Sequence, residues 1–227
     1  MYDLYVANKN YSSWSLRPWG LMKELGIPFN EHLIKLGQGD AVMRTISPSG
    51  RVPLLKDGDT AVWDSLAIAE YLAERHPGVW PEDARARAWA RSAAAEMHSG
   101  FGVLRMRCTM NCGIRVRLHE MPPELIRDIA RVSELWNEGL ARFGGPFLAG
   151  KRFTAVDGFF APVAFRVQTY GLVLDGRAAE YAPRLLALPS MRTWYADALK
   201  ETWREPAHEE EAQHAGTWLE DLRAKAG

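Results

Sequence analysis

A breaker-rich stretch, His76-Pro77-Gly78-Val79-Trp80-Pro81, divides the chain into halves whose apolar residues recur with different periods. Before it, short β-rich runs alternate with helical patterns. Tyr2-Asp3-Leu4-Tyr5-Val6 alternates as a half-buried strand does. Ser15 to Leu25 carries Leu16, Trp19, Leu21 and Met22 at helical spacing, and Gly26 supplies a stop. Phe29 to Leu36 reads as a second strand. Asp40 to Ile46 reads as a short helix, ended by Ser47-Pro48-Ser49-Gly50. Pro53 to Lys56 and Thr60 to Trp63 flank an Asp57-Gly58 turn, a hairpin signal. Asp64 or Ser65 can cap the helix that follows. The order β-α-β-α-β-β-α needs a parallel crossover pair and then antiparallel strands. It therefore predicts a mixed four-stranded sheet.

After the break the chain reads as helical almost throughout. One long helix is predicted over about 82–110, and another from Pro122-Pro123 to about Phe143. Thr154-Ala155-Val156-Asp157 opens a third as a capping box, and Pro162 inside it should kink the axis. Ser190 to Glu201 makes a fourth, and the tail from Glu209 to Lys225 reads as an exposed helix. The expected division is a first domain over 1–78 and an all-helical second domain over 79–227.

Charge and cysteine content narrow the function. Lys plus Arg is 28 and Asp plus Glu is 28, so the net charge is zero. That balance argues against nucleic acid or an anionic membrane as the main partner. Arg105, Arg107, Arg115 and Arg117 still cluster locally, which fits an anionic second substrate or nucleic acid, but the neutral balance favours a surface or dimer-interface role. Cys108 and Cys112 are the only cysteines, too few for a disulfide framework. No second Cys or His pair accompanies them, so no metal site is expected. They read as two reduced thiols, four residues apart on one helix face. No signal-peptide pattern and no run of about 18 apolar residues is visible, so a cytoplasmic protein is expected.

The loop Asn10-Tyr11-Ser12-Ser13-Trp14-Ser15-Leu16-Arg17 places three serines where a strand runs into a helix N-terminus. Unpaired N–H groups and the helix dipole favour an anion there. A serine hydroxyl can donate to a thiolate and hold its charge. The same serines can equally serve as plain helix caps.

Ser47-Pro48-Ser49-Gly50-Arg51-Val52-Pro53-Leu54-Leu55, followed by Trp63-Asp64-Ser65-Leu66-Ala67-Ile68-Ala69-Glu70-Tyr71-Leu72, resembles the N-terminal domain of the glutathione transferase superfamily. Phe153-Thr154-Ala155-Val156-Asp157 with Pro162 is similar to the box opening that family's sixth helix. Ser47 stands where the family usually has Asn. The resemblance implies a thioredoxin-like first domain, a helical second domain and a symmetric homodimer. Its interface would use the first domain and the helices over 82–110 and 123–143.

The resemblance also implies site roles. Pro53 would be cis, and the Val52 backbone would pair with the cysteinyl part of glutathione. Ser65 would bind the γ-glutamyl carboxylate and Asp64 the γ-glutamyl ammonium. Gln38 and Arg51 are candidates for the glycyl end. Ser12-Ser13-Trp14-Ser15-Leu16-Arg17 looks most like the zeta-type S-S-C-x-x-R, which puts Ser12 at the catalytic position and Ser13 beside it. Trp14 stands where that pattern has cysteine. The zeta-type substrate arginine falls on Thr169, with Arg166 three residues earlier. Tyr11 is the rival activator. The implied activity is a glutathione transferase without metal, attacking a small hydrophobic electrophile between the domains. Trp14, His98, Phe101 and Arg105, with residues near Phe165 and Tyr170, would line that pocket. A non-catalytic binding protein, a glutathione-dependent isomerase and a thiol–disulfide reductase are the other readings.

Overall fold

The computed structural model describes residues 1–37 and 40–225. The first half contains β1 (Tyr2–Ala7), α1 (Ser13–Glu24), β2 (Phe29–Ile34), α2 (Asp40–Ile46), β3 (Leu54–Asp57), β4 (Thr60–Trp63) and α3 (Ser65–Ala73). Strand order is β2-β1-β3-β4. β1 pairs parallel with β2 and antiparallel with β3, and β3 pairs antiparallel with β4. The mixed four-stranded sheet is therefore as the residue pattern predicts. Gln38 lies outside the described residues.

The second half contains α4 (Ala84–Ser99), α5 (Gly102–Arg107), β5 (Ile114–Leu118), α6 (Pro123–Arg142), α7 (Ala155–Tyr170), α8 (Arg177–Leu186), α9 (Pro189–Lys200), α10 (Pro206–Ala215) and β6 (Gly216–Asp221). α7 is its centre and runs unbroken through Pro162. Phe159, Phe160 and Phe165 on it are at most 2% exposed. Burying each contributes about 1.5–3 kcal/mol. α1 packs against α7, which joins the cores of the two halves. Gly158 permits this approach, since a Cβ there would sit 3.1 Å from the Arg17 carbonyl oxygen. Asp157 anchors the start of α7, accepting from the Thr154 and Leu148 amides and from the Tyr181 hydroxyl.

Four expectations need correction. The single helix over 82–110 is two helices. α4 stops at Gly100, where a Cβ would meet the Glu96 carbonyl oxygen at 2.7 Å, and Phe101 turns left-handed at φ 56°. Helix α5 ends at Arg107, so Cys108 and Cys112 do not share a helix face. The helical half also carries a two-stranded antiparallel ribbon, β5 with β6, so it is not all-helical. The tail accordingly leaves its helix at Gly216 and continues as β6, because Thr217-Trp218-Leu219 favours an extended chain with an edge to pair. Among the described residues no helix is long and apolar enough to cross a membrane.

Candidate active site

The serine loop is built by a backbone turn. Both the Tyr11 and Ser12 amides donate to the Asn8 carbonyl, which turns the chain from β1 into α1. Ser12 occupies the N-cap position, yet its side chain does not cap α1. Its hydroxyl donates instead to Ser15 Oγ at 2.7 Å, and that oxygen also accepts from the Ala7 amide at 3.1 Å. The start of α1 is left open to an anion. Ser13 Oγ has no hydrogen-bond partner among the described residues. Both Ser12 and Ser13 line one cleft of about 560 Å³.

Tyr11 lines the same cleft, but its hydroxyl is occupied. It donates to Glu209 at 2.8 Å and accepts from Arg223 at 3.3 Å. Burial, reinforced by Glu209, holds the phenol well above its ordinary pKa. A phenol held in its neutral form and committed to a carboxylate is a poor donor to a second anion.

The sheet side of the cleft offers backbone. The Val52–Pro53 peptide is cis, as the resemblance implies. Val52 and Arg51 line the cleft, and Pro53 is buried behind them. Among the described residues neither the Val52 N–H nor its C=O has a partner, so an extended ligand can pair there. Ser47 Oγ donates to the Arg51 carbonyl at 3.2 Å and steadies this loop.

Asp64 and Ser65 lie at one end, outside the lining of the cleft. Asp64 sits at φ 73°, a positive value that non-glycine residues adopt at a cost of about 1–3 kcal/mol and that clusters at ligand sites. Its carboxylate caps α3 through the Leu66 amide at 2.8 Å. Ser65 is buried and its hydroxyl accepts from Arg17 at 3.2 Å. His98 bridges this cluster, with Nε2 3.6 Å from Asp64 and Nδ1 3.5 Å from Arg17. Burial lowers the His98 pKa, Arg17 and Arg105 push it the same way, and Asp64 opposes.

The helical side departs further from expectation. Trp14 and Arg105 line the cleft, but His98 and Phe101 do not. His98 stands edge-on behind Trp14, with ring centroids 5.3 Å apart, and Phe101 is buried at the start of α5. Phe165 is buried against Tyr195, and the Tyr170 hydroxyl donates to the Thr109 carbonyl. Thr169 is buried and donates to the Asn111 carbonyl. Arg166, noted in the residue pattern only for its distance from Thr169, lines the cleft, as do Met106, His208 and Glu211, which had no site role there. The last two come from α10, which Arg223 ties down by gripping both Glu209 and Asp221. The alternation Ile114-Arg115-Val116-Arg117-Leu118 was the signal for the ribbon that brings this tail back, with Ile114 and Val116 buried.

The cysteines stand apart from this chemistry. Both are free and fully buried. Burial pushes the Cys108 thiol up to about 12 and the Cys112 thiol higher still. Neither is a ready nucleophile. Among the described residues no group of three or more His, Cys, Asp or Glu is gathered.

A thioredoxin-like domain with an unpaired backbone segment at Val52 is packed on a helical domain across a shared cleft. A family model described as the glutathione S-transferase N-terminal domain matches residues 11–75. Mouse glutathione S-transferase theta-1 is 34% identical over 116 residues, 46% of this chain and 47% of that protein. Arabidopsis thaliana glutathione S-transferase Z2 is 40% identical over 112 residues, 44% of this chain and 49% of that one. The matches thus span about half the length of these relatives. The theta class glutathione S-transferase of Xanthomonas axonopodis pv. citri, solved with glutathione bound, superposes with a TM-score of 0.64 at 22% identity, covering 86% of this chain and 96% of that one. Residues 11–75 thus match the glutathione S-transferase N-terminal domain, and the chain shares the fold of solved glutathione S-transferases.

Proposed function

We propose that this chain is a glutathione transferase, in which Ser12 holds the glutathione thiolate for attack on an electrophile bound in the cleft. The observation that carries the reading is the cleft itself. On one side it has the open start of α1 with its serines, and on the other the unpaired N–H and C=O of Val52. Glutathione lies along Val52 as an added strand. Ser65 and Asp64 take its γ-glutamyl end, and Arg51 its glycyl carboxylate.

Hydroxyl protons rotate freely. With Ser15 donating to Ser12, the Ser12 proton is released toward sulfur, and the first-turn amides of α1 add positive potential. The thiol gives its proton to solvent. The thiolate then bonds to the electrophilic carbon, and the leaving group departs with the displaced electron pair. The occupied hydroxyl of Tyr11 supports serine over tyrosine as activator. A second reading assigns the role to Ser13, favoured by its unpartnered hydroxyl in the cleft. Two chains pair as a symmetric homodimer.

The test is conjugation of chlorodinitrobenzene by the purified protein, with glutathione affinity measured separately by calorimetry. Ser12→Ala should lower turnover about a hundredfold, the scale of losing a donor to a developing anion, with much less change in glutathione affinity. Unchanged turnover in Ser12→Ala with a collapse in Ser13→Ala would transfer the role. No glutathione binding by the wild type would sink the reading.

A further inference from the structure

The loop that carries the serines is held from the far half of the chain. The Glu201 carboxylate, at the C-terminal cap of α9, accepts from the Lys9 amide at 2.6 Å through one oxygen. Through the other it accepts from the Asn10 amide and from Asn10 Nδ2, both at 3.2 Å. α9 adds two more bonds. Trp194 Nε1 donates to the Lys9 carbonyl at 2.8 Å, and Asn10 Nδ2 donates to the Ala198 carbonyl at 2.6 Å. The Lys9 ammonium is buried beside the rings of Trp19 and Trp194 and pairs with Asp197 at 2.9 Å and Glu31 at 2.7 Å.

The next amides are bonded inside the turn. Tyr11 and Ser12 donate to the Asn8 carbonyl, and Ser13 donates to the Tyr11 carbonyl. Those local bonds fix the shape of the turn, but not where it stands against the cleft. The grip on Lys9 and Asn10 fixes that, because a backbone N–H shut away from water needs an acceptor and a charged one holds it more strongly. Glu201 is not among the residues that line the cleft. A carboxylate near a thiolate opposes it by field alone. Any help Glu201 gives to thiol activation therefore comes through position.

We propose that Glu201 is a positioning residue for the thiol-activating serine: by gripping two consecutive peptides just ahead of Ser12, the helical half sets where the Ser12 hydroxyl stands. The inference rests on the glutathione transferase reading with Ser12 as activator. A group that serves a developing anion must be held within about 0.5 Å of its productive place. Ser12 is two residues beyond Asn10, so a shift of the Asn10 peptide is carried almost directly to it.

The readout is the ultraviolet absorbance of the bound glutathione thiolate, titrated with pH. In the wild type its midpoint should lie below the ordinary thiol value of about 8.5. Glu201→Gln keeps the size of the side chain but turns an amide toward the loop donors. It should raise the midpoint by about one unit and lower kcat about tenfold, with KM for glutathione within about twofold. Glu201→Asp keeps the charge but is one methylene short, and should raise the midpoint too. It carries the test if the Gln variant does not fold. Adding Glu201→Gln to Ser12→Ala should move the midpoint no further, because the two act as one unit. Partial unfolding shrinks the band without moving its midpoint, so it does not mimic these shifts. A midpoint that stays or falls in Glu201→Gln, while Ser12→Ala raises it, overturns the positioning role and leaves the serine in place. Additive shifts in the double variant overturn it as well. Loss of glutathione binding in both Glu201 variants assigns the residue to the fold and overturns it. A midpoint unmoved by Ser12→Ala, or no thiolate band in the wild type, overturns the serine reading and this inference with it.

Discussion

On the sheet side the groups proposed to hold glutathione are mostly backbone or capping atoms: the Val52 N–H and C=O, the start of α1 and, beyond the cleft lining, the start of α3. On the helical side the cleft is lined by long side chains, Arg105, Met106, Arg166, His208 and Glu211, from three separate helices. Backbone recognition is set by short local segments and tolerates little variation in shape. Side-chain recognition is set by packing, and can change with any of the elements that carry it. Under the proposed function, one wall thus reads a constant ligand and the other a variable one.

The largest expected effect comes from separating the walls. Arg223 is 1% exposed at its side chain and holds Glu209 and Asp221 together. Arg223→Met should cost about 3–5 kcal/mol in denaturant unfolding, because it strands partly buried carboxylates. Hydrogen exchange should rise first in α10 and β6, while a glutathione column still retains the protein. Loss of retention by a folded variant would show that the walls are not independent.

A change on the sheet wall should act on glutathione alone. Asp64→Asn preserves the cap on α3 but removes the charge, and should raise KM for glutathione about tenfold with little change in kcat. Smaller still is Tyr11→Phe, which deletes a buried hydroxyl bonded to Glu209 and Arg223. Stability should fall by about 1 kcal/mol and turnover should stay within about twofold. A collapse in turnover would return Tyr11 to the role of activator.

The smallest effect is a pH slope. His98 has a folded pKa below its ordinary value, chiefly from burial. The unfolded chain therefore binds the proton more tightly, and stability rises with pH across this window. The contribution is complete above about pH 6.5, the unfolded value, and is lost as the pH falls through the folded one. Thermal melts at stepped acidic pH should show a shallower decline for His98→Gln than for the wild type. Parallel declines would remove His98 from the junction of the walls.

Legibility follows the same division. The cis Val52–Pro53 peptide was legible through the resemblance, because the motif that carries it is a run of consecutive residues. The capping of α1 was not, since whether Ser12 bonds the helix or Ser15 depends on how β1 delivers Ala7 beneath it. His98 and Phe101 looked like lining residues by their place in the chain. Phe101 turns left-handed where the chain leaves α4 and is buried at the start of α5, while His98, inside α4, faces Asp64 and Arg17 through contacts with distant parts of the chain. Arg166 and His208 had no local signature. They reach the cleft because α7 packs on α1 and because the β5–β6 ribbon folds the tail back.

The residue order alone determined the mixed sheet and the predominantly helical second half, because periodicity, turn chemistry and capping are short-range properties. Only the tertiary structure decided which hydroxyl is tied up, which helix breaks and which carboxylate reaches the serine loop. Those outcomes depend on distances between residues far apart in the chain, and on burial, which no local pattern encodes.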